Sequence, residues 1–295
     1  MKSLRTHTLI VSSVFVLIFS SCKKDEDPIE TPVIPTKRLI FSFAFDPTQQ
    51  RLDSFGNPST VPPGRAAQSP DFNSISAHYI ELTPSATTLL GNGEVLYNGV
   101  QTTAGGETAI DFAQSTIVGE NEIFKSFDLS GVAPGTYNYV RVSLAFQNYD
   151  VNVRYSGMDL VGTIASFIGF NTYITNYNIN NQNIVVNGNK LQGYWGFETN
   201  GFSTTGQAPP GATTVPNPIF STSAVPAGSC VVTGRFDPPL VITGNETEDI
   251  NVLLSLSTNQ SFEWVEVNED GLYEPGAGEN VVDMGIRGLL PVINP

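Results

Sequence analysis

Oxygen-bearing side chains recur at alternate positions of Glu266-Val267-Asn268-Glu269-Asp270-Gly271-Leu272-Tyr273-Glu274, with a glycine that permits a sharp turn. This spacing suits calcium, which takes six to eight oxygens in a flexible shell. Glu266, Asn268 and Asp270 would begin that shell. A backbone carbonyl of Leu272 or Tyr273 and a later carboxylate, Glu274, Glu279 or Asp283, would complete it. The same residues also read as an acidic hairpin between strands at Phe262–Val267 and Val281–Ile286, and both readings stand at this point.

Aromatic residues offer a second chemistry. Tyr194, Trp195 and Phe197, with Trp264 further along, could stack on the C–H faces of sugar rings; equally, alternate aromatics in a strand divide between core and surface. Catalytic signatures are sparse. There is no nucleophile elbow, phosphate loop, His-Glu-x-x-His helix or paired-cysteine metal motif. With His7 in the leader, His78 is the one histidine left in the body of the chain, which removes most triads and histidine-rich metal sites. A carboxylate pair acting on glycans is the enzymatic alternative, because Asp and Glu suffice for glycoside hydrolysis. Cys230, in Ser-Cys-Val-Val, reads as a small buried hydrophobe rather than a nucleophile.

The elements that must position these residues read as strands. From Lys37 onward the chain is rich in Val, Ile, Thr, Tyr and Phe, broken by Gly, Pro and Asn, with no helical period. The expectation is an all-β fold, an antiparallel β-sandwich of the Ig-like or jelly-roll-like kind, with long Pro/Gly-rich loops at 46–72 and 204–226. Leu39–Phe45 alternates as a first strand. Tyr137–Phe146 alternates most strictly, placing Val140, Val142, Leu144 and Phe146 on one face, and Asp150–Tyr155 continues it past a bend. Asp159–Phe170 fits either a buried strand or a short helix. Asn187-Gly188-Asn189 predicts a hairpin turn between Ile184–Val186 and Leu191–Phe197. One sandwich over 38–295 is the simplest division, with two subdomains the alternative.

The ends set the compartment. Lys2 and Arg5 precede an apolar run from Leu9 to Phe19 that is too short to span a bilayer, and Ser20-Ser21-Cys22 closes it, which makes a secretory signal over 1–22. These residues resemble the bacterial lipoprotein signal, with Phe19 in place of the usual Leu. The resemblance implies acylation of Cys22 with diacylglycerol and palmitate, and so a membrane anchor. Residues 23–37 are charged and proline-rich, a composition that forms an extended tether. Lys23-Lys24 before Asp25-Glu26-Asp27 resembles the export tag of Bacteroidota surface lipoproteins, which implies an outer-membrane protein displayed on the cell surface, or facing the periplasm if the tag is not read. The chain carries 14 basic and 28 acidic side chains, a net charge of −14, so nucleic acid is excluded as a partner.

Two further resemblances are weaker in extent. Glu266–Gly271 resembles the Asp-x-Asn-x-Asp-Gly opening of EF-hand loops, with Glu266 for the first Asp and Ala277 where the closing Glu falls. LIFSFAF, SISAHYIEL and VAPGTYNYVRVSLAF, within Leu39–Phe146, resemble the order of landmarks in methanobactin-associated periplasmic β-sandwich proteins. That likeness implies the fold; copper binding does not carry over, because only His78 matches among the nitrogen ligands. The function expected is a lipid-anchored, non-catalytic binding or interaction module for a glycan or protein ligand, stabilised by Ca²⁺ where the acidic loop binds it. The alternative is a carboxylate-dependent glycan-active enzyme.

Overall fold

Period-two alternation of apolar side chains, as at Leu39, Phe41 and Phe43, runs through many of the strands. A computed structural model describes residues 36–52, 58–208, 230–284, 286 and 288–294; Cys22, residues 23–35 of the tether and residues 209–226 of the second Pro/Gly-rich stretch lie outside the described residues. The N-terminal half holds β1 (Arg38–Asp46), β2 (Arg65–Gln68), β3 (Asp71–Thr83), β4 (Glu94–Asn98), β5 (Gln101–Thr102) and β6 (Ala109–Asp111). Next come β7 (Ile123–Asp128), β8 (Gly135–Tyr155), β9 (Met158–Phe167), β10 (Asn171–Asn178), β11 (Asn183–Leu191) and β12 (Tyr194–Thr199). The last third holds β13 (Phe202–Gln207), β14 (Cys230–Ile242), β15 (Ile250–Ser257), β16 (Phe262–Val265), β17 (Val281–Met284) and β18 (Leu289–Asn294). Helical structure among the described residues is confined to short 3-10 turns such as Phe112–Gln114.

The fold is all-β and mainly antiparallel, with layers packed face to face. The largest sheet runs β13-β12-β9-β8-β3-β4, and β14 joins it on the first half of β8. A second sheet, β18-β15-β1-β7, contains a parallel pairing of β1 with β15. Leu39, Phe41 and Phe43 of β1 and Val252, Leu254 and Leu256 of β15 meet Val140, Val142 and Leu144 of β8 in the main core. Each side chain of this size stabilises the fold by about 1.5–3 kcal/mol when fully buried.

Strand β8 is one continuous element of 21 residues rather than two segments joined by a bend. Its faces exchange at Ala145. Ser76 pairs with Phe146 while Ala77 pairs with Leu144, so Ala145 is an extra residue in the ladder. A one-residue insertion moves everything beyond it to the opposite face. Phe146 therefore leaves the face of Val140, Val142 and Leu144 and packs with Phe167, Ile174 and Tyr177 beneath the third sheet, β11-β10-β6-β5. Tyr149, Val151 and Val153 return to the first face, where the small sheet β17-β16-β2 covers them with Phe262, Trp264 and Met284.

Two other expectations change in detail. The ambiguous segment after Asp159 is strand β9, paired with β8 along its whole length from Met158 to Phe167. Asn187-Gly188 does not turn a hairpin: β11 runs through it and pairs with β10. The pairing jumps from Ile174↔Gly188 to Asn176↔Val185, and Asn187 takes a positive φ of 52°. The Asn-Gly step serves as a bulge, a position that accepts the same left-handed backbone as a turn.

Candidate functional site

Alternation in β12 decides which aromatics share a surface. Trp195, Phe197 and Thr199 point to one side of the large sheet, and Tyr194, Gly196 and Glu198 to the other. Trp195 lies opposite Gly206 of β13 and Ser166 of β9, and Phe197 lies opposite Thr204 and Ile164. Glycine makes room for both rings. A Cβ at Gly206 would collide with the Trp195 indole, and one at Gly162 with the Phe197 ring.

The wall facing them comes from the C-terminal hairpin. β16 and β17 pair antiparallel from Phe262↔Met284 to Trp264↔Val281, with a register shift between Glu263 and Trp264. Phe262, Tyr273, Val281 and Met284 from this hairpin and its loop close a cleft of about 590 Å³ against Trp195, Phe197 and Ile164. That size and its aromatic lining are typical of small-molecule sites. Tyr155 and Phe202 stand at the mouth, 55% and 63% exposed. Thr199, Thr204, Gln207, Glu279 and Asn280 contribute the polar edge. Trp264 is buried one layer behind, with ring centroids 6.0 Å from Phe262 and 5.5 Å from Tyr273. Burial, with the Glu279 charge adding to it, pushes the Tyr273 phenol up to about 12, so it stays a neutral donor at the cleft wall.

Tyr194 belongs elsewhere. Its ring packs in the core of the opposite face, 5.8 Å from Phe167 and 6.1 Å from Tyr177. Of the four aromatics singled out in the sequence, Trp195 and Phe197 line the cleft, Trp264 supports it, and Tyr194 is structural. Tyr155, Phe202 and Tyr273 were not legible as partners, because two separate strands, β8 and β13, and the loop between β16 and β17 bring them there.

The acidic loop is held by its own backbone. Glu279 is buried, and its two oxygens accept N–H groups of Val267 at 3.1 Å and Glu274 at 2.6 Å. Asp270 accepts the Leu272 N–H at 3.0 Å through Oδ1, while Oδ2 stands 3.9 Å from Arg154 Nη1. The Glu274 carboxylate accepts the Asn268 side-chain amide. Tyr273 carbonyl oxygen accepts the Arg154 N–H at 2.8 Å. Both Glu266 oxygens are buried with no hydrogen-bond partner, and Asp283 lies across the ladder from Glu263. Among the described residues no three His, Cys, Asp or Glu side chains converge as a metal site. The backbone hydrogen bonds to Glu279 fix one edge of the cleft.

No protein-family model, curated protein or solved structure matches the chain.

Proposed function

We propose that the chain is a lipid-anchored envelope protein, tethered through Cys22 at the outer membrane and displayed on the cell surface, that binds a glycan without transforming it. The observation that supports this is the convergence of Trp195, Phe197, Tyr155 and Phe202 on one cleft with a hydroxyl- and amide-bearing edge. Aromatic faces pack against sugar C–H groups, and the polar edge takes the hydroxyls. The enzymatic alternative needs two carboxylates about 5–10 Å apart across the bound sugar. Glu279 is the one carboxylate among the described lining residues, and both of its oxygens are already engaged by backbone N–H groups. That favours binding over hydrolysis.

Both tryptophans of the chain, Trp195 and Trp264, adjoin the cleft, so intrinsic fluorescence reports on it directly. Titration with a panel of oligosaccharides is expected to shift the emission. Trp195→Ala should weaken binding by about tenfold or more, as loss of a central aromatic anchor does. Wild-type affinity in the variant would rule the cleft out as the site.

Calcium at the acidic loop belongs to the same proposal as a stabiliser of the cleft edge. A Ca²⁺ ion would have to draw Glu266, Asp270 and Glu274 together, and the unpartnered oxygens of Glu266 are the donors best placed to gain from it. The expected result is a thermal midpoint higher in Ca²⁺ than in EDTA, with Asp270→Ala removing the difference. Equal midpoints would eliminate the cation.

A further inference from the structure

The alternation that sends Tyr149, Val151 and Val153 toward the aromatic cleft sends Phe146, Asn148 and Asp150 to the opposite face of β8. There they border a separate pocket of about 420 Å³. Thr163 of β9 forms its floor beside Asp150, and Asn73 and Ser74 of β3 form one side. Phe112 and the residues Asn178–Asn180 at the end of β10 close it.

This pocket is built rather than incidental. The Glu198 carboxylate, 4% exposed, accepts the N–H groups of Asn180, Asn181 and Gln182 at 2.9, 3.0 and 2.9 Å, which fixes the turn that forms the rim. Asn148 ties the same turn down, donating to the Ile179 carbonyl at 2.7 Å, and accepts from Asn73 at 3.0 Å. Asp150 Oδ1 accepts the Thr163 hydroxyl at 2.6 Å, which orients the carboxylate on the pocket lining; among the described residues Oδ2 has no hydrogen-bond donor. Among the described residues the Asn180 side-chain amide and the Ser74 hydroxyl, both on the lining, likewise make no hydrogen bond.

Such a set has a definite chemistry. An oriented carboxylate with a primary amide and a hydroxyl on the same lining offers acceptors and donors to hydroxyl groups, and Phe112 supplies an apolar edge for C–H groups. The described lining contains no Lys, Arg or His, and the Asp150 charge repels anions. We propose that this pocket is a second ligand site, taking a neutral polyhydroxylated unit, a single saccharide ring. It is independent of the aromatic cleft in position and in chemistry. Two sites on opposite faces of the same strands would let one molecule bridge two glycan chains, raising avidity without new contacts at either site.

Saturation-transfer NMR of the full chain with glucose, galactose, mannose and N-acetylglucosamine tests the assignment. At least one sugar is expected to receive transfer, with affinity in the millimolar range. Asp150→Asn should weaken it by about tenfold, since a hydrogen bond to a charged acceptor is lost. Asn180→Ala, on an exposed side chain that leaves the Glu198 contacts in place, should weaken it as well and guards against a folding defect at Asp150. Trp195→Ala should leave this transfer unchanged while weakening oligosaccharide binding at the cleft. Three results overturn the proposal: no transfer to any sugar, transfer untouched by both pocket variants, or transfer lost only with Trp195→Ala.

Discussion

Glu263→Ala is expected to lower the free energy of unfolding by about 3–5 kcal/mol, the cost of breaking a buried ion pair from one side. Glu263 sits in the middle of β16, 1% exposed, and its carboxylate faces two guanidinium groups. Arg51, itself 5% exposed, pairs with Oε2, and Arg65 Nη1 reaches Oε1 at 2.7 Å. Arg51 also donates to the Gln260 carbonyl at 3.2 Å and the Ser59 hydroxyl at 3.0 Å, so it cannot follow the missing charge into solvent without breaking those bonds. Alanine at 263 deletes the carboxylate and leaves the guanidinium desolvated. The damage should spread to the cleft, because Phe262 and Trp264 flank Glu263 on the same short strand. Glu263→Gln keeps the shape and an acceptor and should cost less. Arg65→Ala, at a half-exposed position, should cost about 1 kcal/mol or below. Urea unfolding of the three variants decides it, and a Glu263→Ala protein within about 1 kcal/mol of wild type would mean that the ion pair contributes nothing net.

The second large effect is a loss of stability in mild acid that runs through a single histidine. His78 is the extra residue where β3 pairs Ala77 with Leu144 and Tyr79 with Ser143, and its ring is buried against Phe170 at 5.5 Å. Gly99 packs beside the His78 backbone, where a Cβ would come within 3.1 Å of the His78 Cβ, tighter than ordinary contact. Burial lowers the ring to about 4 from the ordinary 6.5, with only a partial opposing effect from the Leu144 backbone. Above pH 6.5 the ring is neutral in both states and has no effect on the pH dependence. Between 6.5 and 4 the unfolded chain takes up a proton that the native protein refuses, so stability falls as pH falls, by about 3 kcal/mol across the window. His78→Gln should remove that share of the slope, leaving what the carboxylates contribute in both proteins. Parallel unfolding curves at pH 7 and pH 4.5 for wild type and variant measure it directly; identical slopes would show that the ring is hydrated in the native state.

Much of this molecule follows from short-range pattern. Alternation at Leu39, Phe41 and Phe43 specifies a strand with one buried face, because side chains two apart on a pleated strand share a side, and all three are fully buried. The same rule places Trp195 and Phe197 together and separates Tyr194 from them, although residue types alone cannot say which side is core. The all-β class and many strand positions were legible for that reason; β2, inside the expected 46–72 loop, β13, running into the expected 204–226 loop, and β10 and β18 were not.

Tertiary pairing decided the rest. The bulge at Ala145 carries Phe146 to the other face and thereby creates both the floor of the aromatic cleft and the polar pocket behind it, yet nothing in Leu144-Ala145-Phe146 marks it, since the register is set by the partner strand β3. Asn187-Gly188 carries a backbone preference that a hairpin and a bulge satisfy equally, and the choice fell to the pairing of β11 with β10. Glu279 and Asp150 are both acids near turns in the sequence. Which acid holds a loop by its amides and which keeps an oxygen for a ligand depends on neighbours far away along the chain, and local pattern carries no information about them.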